Sequence, residues 1–468
     1  MKIKNLSLHN FKSNFYQFLL LFLAAILPVN NIIINYLTNI LGWTPLISIW
    51  KEVGIVLLII LLISNFNKLK MVNWLIIASM SVMVFIAIYS SYINGISLTR
   101  FILGFRFEIL WIILLTSIFT SKKLNIKNID FAILFGFILT AVFQLFTVVF
   151  GNEKVYRFFG FINGWGLNSN KIIEGVQTFN TPYCHSTDGG LIDCRFTGGF
   201  PSANNYAAYL ILVIVFFVYK IPSVQSYTKV GYILASVAAL TLLFFTYSRF
   251  AYLGLIVILL MYIVSSMKNM KQWIKKSLLT VFLLLPLLLT IGLNEISIIP
   301  TLGKLLPQSI VKVGSTTAHI NLTSIAVEII YNNGSDLILS GYGLSETGPA
   351  AKAEYQNPFL SRFVIENTKI AEKYGVPEYL MSVPENWYLQ LILNGGWVYF
   401  IIYFGIVLYA IVDIYKPFNH SHVLLYGLIA IIGANLFLHV WESVVVSFYF
   451  ALIYLVYKHN NQFQNTYE

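Results

Sequence analysis

Several polar side chains stand where long apolar runs meet hydrophilic segments, and their types suit phosphate and proton chemistry. Arg195 lies in CRFTGGFPSANNYAAYL, ahead of a Gly198-Gly199 turn, Pro201 and the Asn204-Asn205 pair that opens an apolar run. A guanidinium at a lipid–water boundary can fork two phosphate oxygens, those of a substrate or those of a lipid headgroup. Arg249, in FFTYSRFAYLGL, sits in a hairpin so tight that two apolar runs nearly touch. It suits an anionic ligand, or a cap on the helix before it.

His319, in GSTTAHINL, and Glu385, in PENWYLQLILNGGWVYF, are candidates for proton transfer. A lone histidine is as readily structural, and a carboxylate at a helix start also serves the helix dipole. Arg106 and Glu108, in LTRFILGFRFEILWIILL, are a different case. If the helix enters the membrane near residue 98, Arg106 lies roughly 12 Å down at about 1.5 Å per residue. Ionisable groups at that depth face a cavity or a partner. Two residues apart, they point to different faces and need separate partners. His439 and Glu442 flank the last short hairpin and read as structural.

The elements that must position these residues are membrane helices. The hydrophobic fraction of the 468 residues is 58%, the charged fraction 10%, and mean hydropathy is +0.75. A soluble chain this apolar cannot cover its surface. The expectation is an all-α, polytopic protein with about twelve spans and a large outer loop. The spans fall at 15–36, 53–66, 72–93, 98–120, 130–150, 203–219, 230–247, 250–266, 277–293, 387–412, 421–438 and 441–457. In order of the chain this gives 1–293 with nine helices and an outer loop at 151–202, then a loop subdomain at 294–386, then 387–468 with three helices.

The net charge of +11 reads as membrane topology, with no nucleic-acid partner expected. With the N-terminus inside, the inner segments carry Lys2, Lys4 and Lys12; Lys68 and Lys70; Lys122, Lys123 and Lys127; Lys220 and Lys229; Lys268, Lys271, Lys275 and Lys276; Lys416; and Lys458. Short outer loops carry little beyond Lys51. Both termini are therefore expected in the cytoplasm. The apolar run after the basic start has no small-residue cleavage site, so it reads as a retained first helix.

Both cysteines, Cys184 and Cys194, fall in the first outer loop. An oxidising compartment favours a disulfide there over two free thiols. Nucleotide-binding loops and zinc spacings are not found, so neither a cofactor nor a metal is expected. No internal repeat is evident.

Four segments, in this order, resemble the O-antigen polymerase and O-antigen ligase superfamily of bacterial envelope enzymes. They are RFTGGFPSANNYAAYL, TYSRFAYLGL, STTAHINL followed by SGYGLSETG, and ENWYLQLILNGGWVYF. Together they cover roughly residues 195–412. The resemblance implies a membrane glycosyltransferase (GT-C-like) fold in the inner membrane and a glycan donor on undecaprenyl diphosphate. It also implies inversion at the anomeric carbon, and a chain-length regulator and a flippase as partners. On it, Arg195 and Arg249, with Arg106 as a third, bind the diphosphate, and Glu385 or His319 is the general base. Ligases tend to carry histidine before the asparagine of the membrane return; Glu385 before Asn386 favours the polymerase branch. Adjacent Gly395-Gly396 also departs from the pattern, with no consequence expected for chemistry. A ligase or protein oligosaccharyltransferase using the same donor is the first alternative. A lipid-linked glycan transporter is the second; broken helices at the midplane would mark it.

Overall fold

The computed structural model describes residues 2–63, 71–121, 126, 128–161, 195–266, 313–348, 362–375, 383–414, 422–436 and 438–464. All regular structure among them is helical. Among the described residues, seven helices are long and apolar enough to cross a membrane. This corrects the expected twelve. Three further expected spans form shorter apolar helices, Arg249–Val264, His422–Ala434 and Val444–Lys458. A fourth is Trp50–Ile63, of 14 residues. That is about 21 Å at 1.5 Å per residue, against a hydrocarbon core of about 30 Å. The apolar runs are longer than the helices because turns cut into them. After Ala434, for example, the chain turns at Asn435, whose Nδ2 donates back to the carbonyl of Ile431 at 2.8 Å. The expected span 277–293 lies outside the described residues, as do Cys184 and Cys194.

Two compact units are interleaved along the chain. The first comprises 1–74, 113–247 and 445–468, and the second 75–112 and 248–444.

In the first unit, α1 (Lys2–Ile26) leads through a 3-10 turn at Leu27–Val29 into α2 (Asn30–Asn35). It continues with α3 (Trp50–Ile63), the start of α4 (Met71–Ile93), and most of α6 (Leu110–Thr120). Then come α7 (Ile129–Phe150), α8 (Asn152–Phe158), α9 (Ala203–Lys220), α10 (Ser226–Phe244) and nearly all of α16 (Val444–Gln464). Helix α9 is buried on every side from Tyr206 to Phe217, as its continuous apolar sequence requires. By contrast α10 turns Leu234, Val237, Leu240 and Phe244 outward, an apolar surface that suits lipid.

Two basic contacts join segments that the lysine pattern puts on one face. Lys220 Nζ lies 2.7 Å from Asp130 Oδ2 at the start of α7. Lys458 Nζ donates to the carbonyls of Ile118 and Phe119 near the end of α6, at 2.8 and 2.6 Å. A cation there suits the carbonyls of a helix's last turn.

The second unit holds the rest of α4, α5 (Leu98–Gly104), a π turn at Phe105–Ile109, and α11 (Arg249–Ser266). It also holds α12 (Val313–Asn332), α13 (Arg362–Lys373), α14 (Trp387–Ile414) and α15 (His422–Ala434). Helices α12 and α13, in the segment expected as the large loop, share a core with α14 built from Ile325, Ile329, Phe363, Val364, Ile392 and Leu393.

Helix α14 is broken at Gly396, where φ is +87° and ψ 176°. The adjacent glycines therefore matter for the fold, since L side chains rarely adopt that conformation. The freed backbone groups are taken by the stretch after α12. The N–H groups of Tyr342 and Gly343 donate to the carbonyls of Leu393 and Asn394 at 2.7 and 2.9 Å. Those of Trp397 and Val398 donate to Leu337 and Ile338 at 2.8 and 3.1 Å. A break inside a membrane helix survives only when its polar groups are satisfied in this way.

Candidate functional site

The second unit gathers its polar residues around the broken helix. The π turn at Phe105–Ile109 puts Glu108 in the interior, 1% exposed. Its Oε1 accepts from Gln390 Nε2 at 3.1 Å and Asn394 Nδ2 at 2.5 Å. Its Oε2 accepts from the Tyr399 hydroxyl at 3.3 Å. Gln390 and Asn394 are four apart on one face of the first half of α14. Tyr399 lies beyond the break, so one carboxylate joins the two halves. Arg106, half-buried on the same turn, lies 5.0 Å from the Phe107 ring centroid. The two residues do have different surroundings, as their spacing requires.

Gln390 Nε2 also reaches Glu442 Oε1, at 3.1 Å. Glu442 is buried, with His439 Nδ1 3.9 Å from the same oxygen. Trp111, Trp387, Tyr403 and Trp441 wall this region; the Trp111 and Trp441 rings are 4.6 Å apart.

Glu385 itself is half-buried and left-handed, with φ +51°. The next residue caps α14: Asn386 Oδ1 accepts from the N–H groups of Tyr388 and Leu389, each at 3.0 Å. Asn386 Nδ2 and the Trp387 N–H then tie this turn to the carbonyls of Leu436 and Asn435, at 2.8 and 3.0 Å. The capping role weighed for Glu385 thus belongs to its neighbour.

The SGYGLSETG segment is buried from Gly341 to Gly348. Ser90 and Ser91 of α4 bind it: the Ser90 hydroxyl accepts from the Gly341 N–H at 2.8 Å, and the Ser91 hydroxyl from Leu344 at 3.0 Å. Arg100, 2% exposed, reaches Glu346 Oε2 at 2.5 Å and donates to the Ser345 carbonyl at 2.7 Å. Asn394 Oδ1 accepts from the N–H and hydroxyl of Thr347, at 2.9 and 2.8 Å. A Cβ at Gly104 would come within 2.6 Å of the Ser345 hydroxyl, so this approach needs glycine.

Arg249 opens α11 and is half-buried. His319 lies on α12. Arg106, Arg249, His319 and Glu385 therefore belong to one compact unit, and Arg195 to the other. Arg195 Nε donates to the Thr246 carbonyl at 2.8 Å, and an Nη to Asn204 Oδ1 at 3.0 Å. With the Phe196 N–H on the Phe245 carbonyl at 2.9 Å, this segment closes the end of α10. Gln144 of α7 holds the glycine turn, its Oε1 accepting from Thr197 and Gly198 at 3.2 and 2.9 Å.

The sequence reading missed Arg100, Glu346, Gln390 and Asn394, and took Glu442 as structural. A signal existed for the amides: Gln390 and Asn394 are polar residues at helical spacing inside an apolar run.

Comparisons with protein-family models, with curated proteins and with solved structures find no match to this chain.

Proposed function

We propose that this protein is a glycosyltransferase of the bacterial inner membrane that polymerises undecaprenyl-diphosphate-linked oligosaccharide repeat units. In this reading its spans take a GT-C-like arrangement, with both termini cytoplasmic. The acceptor hydroxyl attacks C1 of the donor glycan, the bond from C1 to the diphosphate oxygen breaks, and the lipid diphosphate leaves with the electron pair. Glu385 takes the hydroxyl proton. Arg249 and Arg106 balance charge building on the diphosphate. The same role for Arg195 rests on the resemblance of its segment, and His319 is the alternative base.

The observation that carries the reading is the placement of Glu385. Asn386 supplies the helix cap, and Glu385, half-buried one residue before it, stands at the head of the broken helix. A chain-length regulator and a flippase are the partners this role calls for. Purified protein in lipid vesicles, given an undecaprenyl-diphosphate-linked repeat unit, is expected to yield a ladder of lengthened glycans. Transfer of single units onto a lipid A core acceptor or a protein hydroxyl would instead establish the ligase or oligosaccharyltransferase alternative.

The break at Gly396 is a feature of transporters too, so a lipid-linked glycan transporter is the second reading. Against it, the carbonyls of Leu393 and Asn394 and the N–H groups of Trp397 and Val398 already bond to this chain. Transport sites use such groups for ions or substrate. Movement of a labelled lipid-linked glycan across protein-bearing vesicles, without polymer, would favour transport.

A further inference from the structure

We infer that Glu108 is a positioning residue that clamps the two halves of the broken helix and so fixes the turn that presents Glu385. The inference rests on the proposed reaction for its catalytic consequence, but the clamp itself is a matter of contacts. Glu108 accepts from Gln390 and Asn394 before Gly396 and from Tyr399 after it. All three partners are donors, so the carboxylate serves as an acceptor throughout. Asn394 passes the connection on to Thr347 in the buried SGYGLSETG segment.

A helix interrupted at a glycine has lost the backbone bonds that keep its halves in register. Two amides on one face of the first half, both bound to a carboxylate from the π turn, restore a fixed orientation. The first half starts one residue after the Asn386 cap and two after Glu385. A tilt of that half would move Glu385 with it, and displacement by about 1 Å at a reacting group costs roughly 100-fold in rate.

The test uses the full-length protein in nanodiscs. Glu108→Gln keeps the volume but presents an amide to donors. Glu108→Gln/Asn394→Asp exchanges donor and acceptor at one contact: the carboxylate at 394 receives the amide from 108 and keeps the bonds from the Thr347 N–H and hydroxyl, but loses the Nδ2 bond to the Thr347 carbonyl. Two readouts are taken. The first is alkylation of a cysteine placed at Val383, which is 8% exposed and two residues before Glu385. The second is turnover of the lipid-linked repeat unit.

For Glu108→Gln, alkylation is expected to quicken by about 10-fold, and kcat to fall by about 10-fold or more with KM within about twofold. The exchange variant should recover part of both, since the amide nitrogen at 108 that meets the carboxylate at 394 cannot accept from Gln390 as well. Alkylation unchanged in Glu108→Gln, or turnover near wild type, would overturn the inference; so would failure of the exchange to restore either readout. If wild-type protein turns over no lipid-linked glycan, the proposed function fails, and the clamp is judged by alkylation and its recovery alone.

Discussion

Asn386 closes the N-terminus of α14 by accepting from Tyr388 and Leu389, so the cap is this residue and not Glu385 before it. Glu385 holds φ at +51°, a conformation disfavoured for an L side chain by about 1–2 kcal/mol. The turn is kept in place by bonds from Asn386 and Trp387 to the carbonyls of Leu436 and Asn435. The two adjacent polar residues therefore divide structure and chemistry between them.

That division is testable by paired variants. Glu385→Gln is expected to lower turnover of a lipid-linked repeat unit by about 10²–10⁴-fold, the range for losing a general base, with unfolding temperature unchanged. Glu385→Asp should keep part of the activity. Asn386→Ala should cost about 1 kcal/mol of stability, as the loss of a helix cap does. Glu385→Gln at wild-type turnover would leave His319 as the candidate base. His319→Gln separates the two: substantial activity there means the histidine only positions sugar.

The buried ion pair of Arg100 and Glu346 predicts a stability effect of a different size. Glu346→Ala removes the carboxylate 2.5 Å from the buried guanidinium and leaves its bond to the Ser345 carbonyl. Breaking one side of a buried pair costs about 3–5 kcal/mol. Replacing both residues by apolar ones, Arg100→Met with Glu346→Leu, should cost less than either single change. Chemical unfolding in detergent, followed by tryptophan fluorescence, reads both. A double variant less stable than each single one would contradict the uncompensated-charge account.

Helices α12 and α13 are joined by a pH-dependent contact. Lys373 Nζ lies 2.8 Å from Glu328 Oε2 and 2.9 Å from Oε1, and the Tyr374 hydroxyl donates to Oε2 at 2.9 Å. The bond from Lys373, then that from Tyr374, holds the Glu328 carboxyl below the usual carboxylate range. A depressed carboxylate contributes stability above its unfolded pKa and loses it as pH falls through the folded value. The gap in unfolding temperature between wild type and Glu328→Gln should therefore be present at pH 7 and close as pH falls through the carboxylate range. Added salt should narrow it at pH 7, since the pair is exposed. A gap that widened on acidification would rule the contact out as its source.

Much of the membrane architecture was legible in the sequence, because a span is a local property of some twenty apolar residues. The spans cut short by turns were not, as the Asn435 bend leaves no gap in an apolar run. At the candidate site, Arg106, Glu108, Arg249, His319 and Glu385 stood out by charge against an apolar background. Gln390 and Asn394 did not, since a neutral amide in a membrane helix is unexceptional until its partner is known. The partner of both, Glu108, is nearly 300 residues earlier. Gly396 was equally silent: adjacent glycines mark a break only when another segment, here Leu337–Gly343 by position, satisfies the opened backbone. Arg100 escaped notice for the same reason, its counter-charge lying in a loop.

The last prediction separates Arg195 from Arg249. The Arg195 guanidinium holds the Thr246 carbonyl and the Asn204 side chain. Arg195→Ala should therefore lower stability, by about 1.5–3 kcal/mol for hydrogen bonds from a charged group, whatever it does to polymer. Arg195→Lys restores the charge but not the fork, so it should recover stability only in part. Arg249→Ala should abolish polymer while protein abundance stays near wild type, and Arg249→Lys should rescue activity partly. Asn204→Ala supplies the control, because it removes one Arg195 contact and leaves the guanidinium in place. If Arg195 only braces the end of α10, Asn204→Ala and Arg195→Ala should lower activity in proportion to their loss of stability. If Arg195 also binds diphosphate, Arg195→Ala should lose far more turnover than Asn204→Ala at matched folded protein, with a raised KM for the lipid-linked donor. Full activity of Arg249→Ala at normal abundance would remove that residue from the diphosphate site and leave Arg106 as the cation proposed within the second unit.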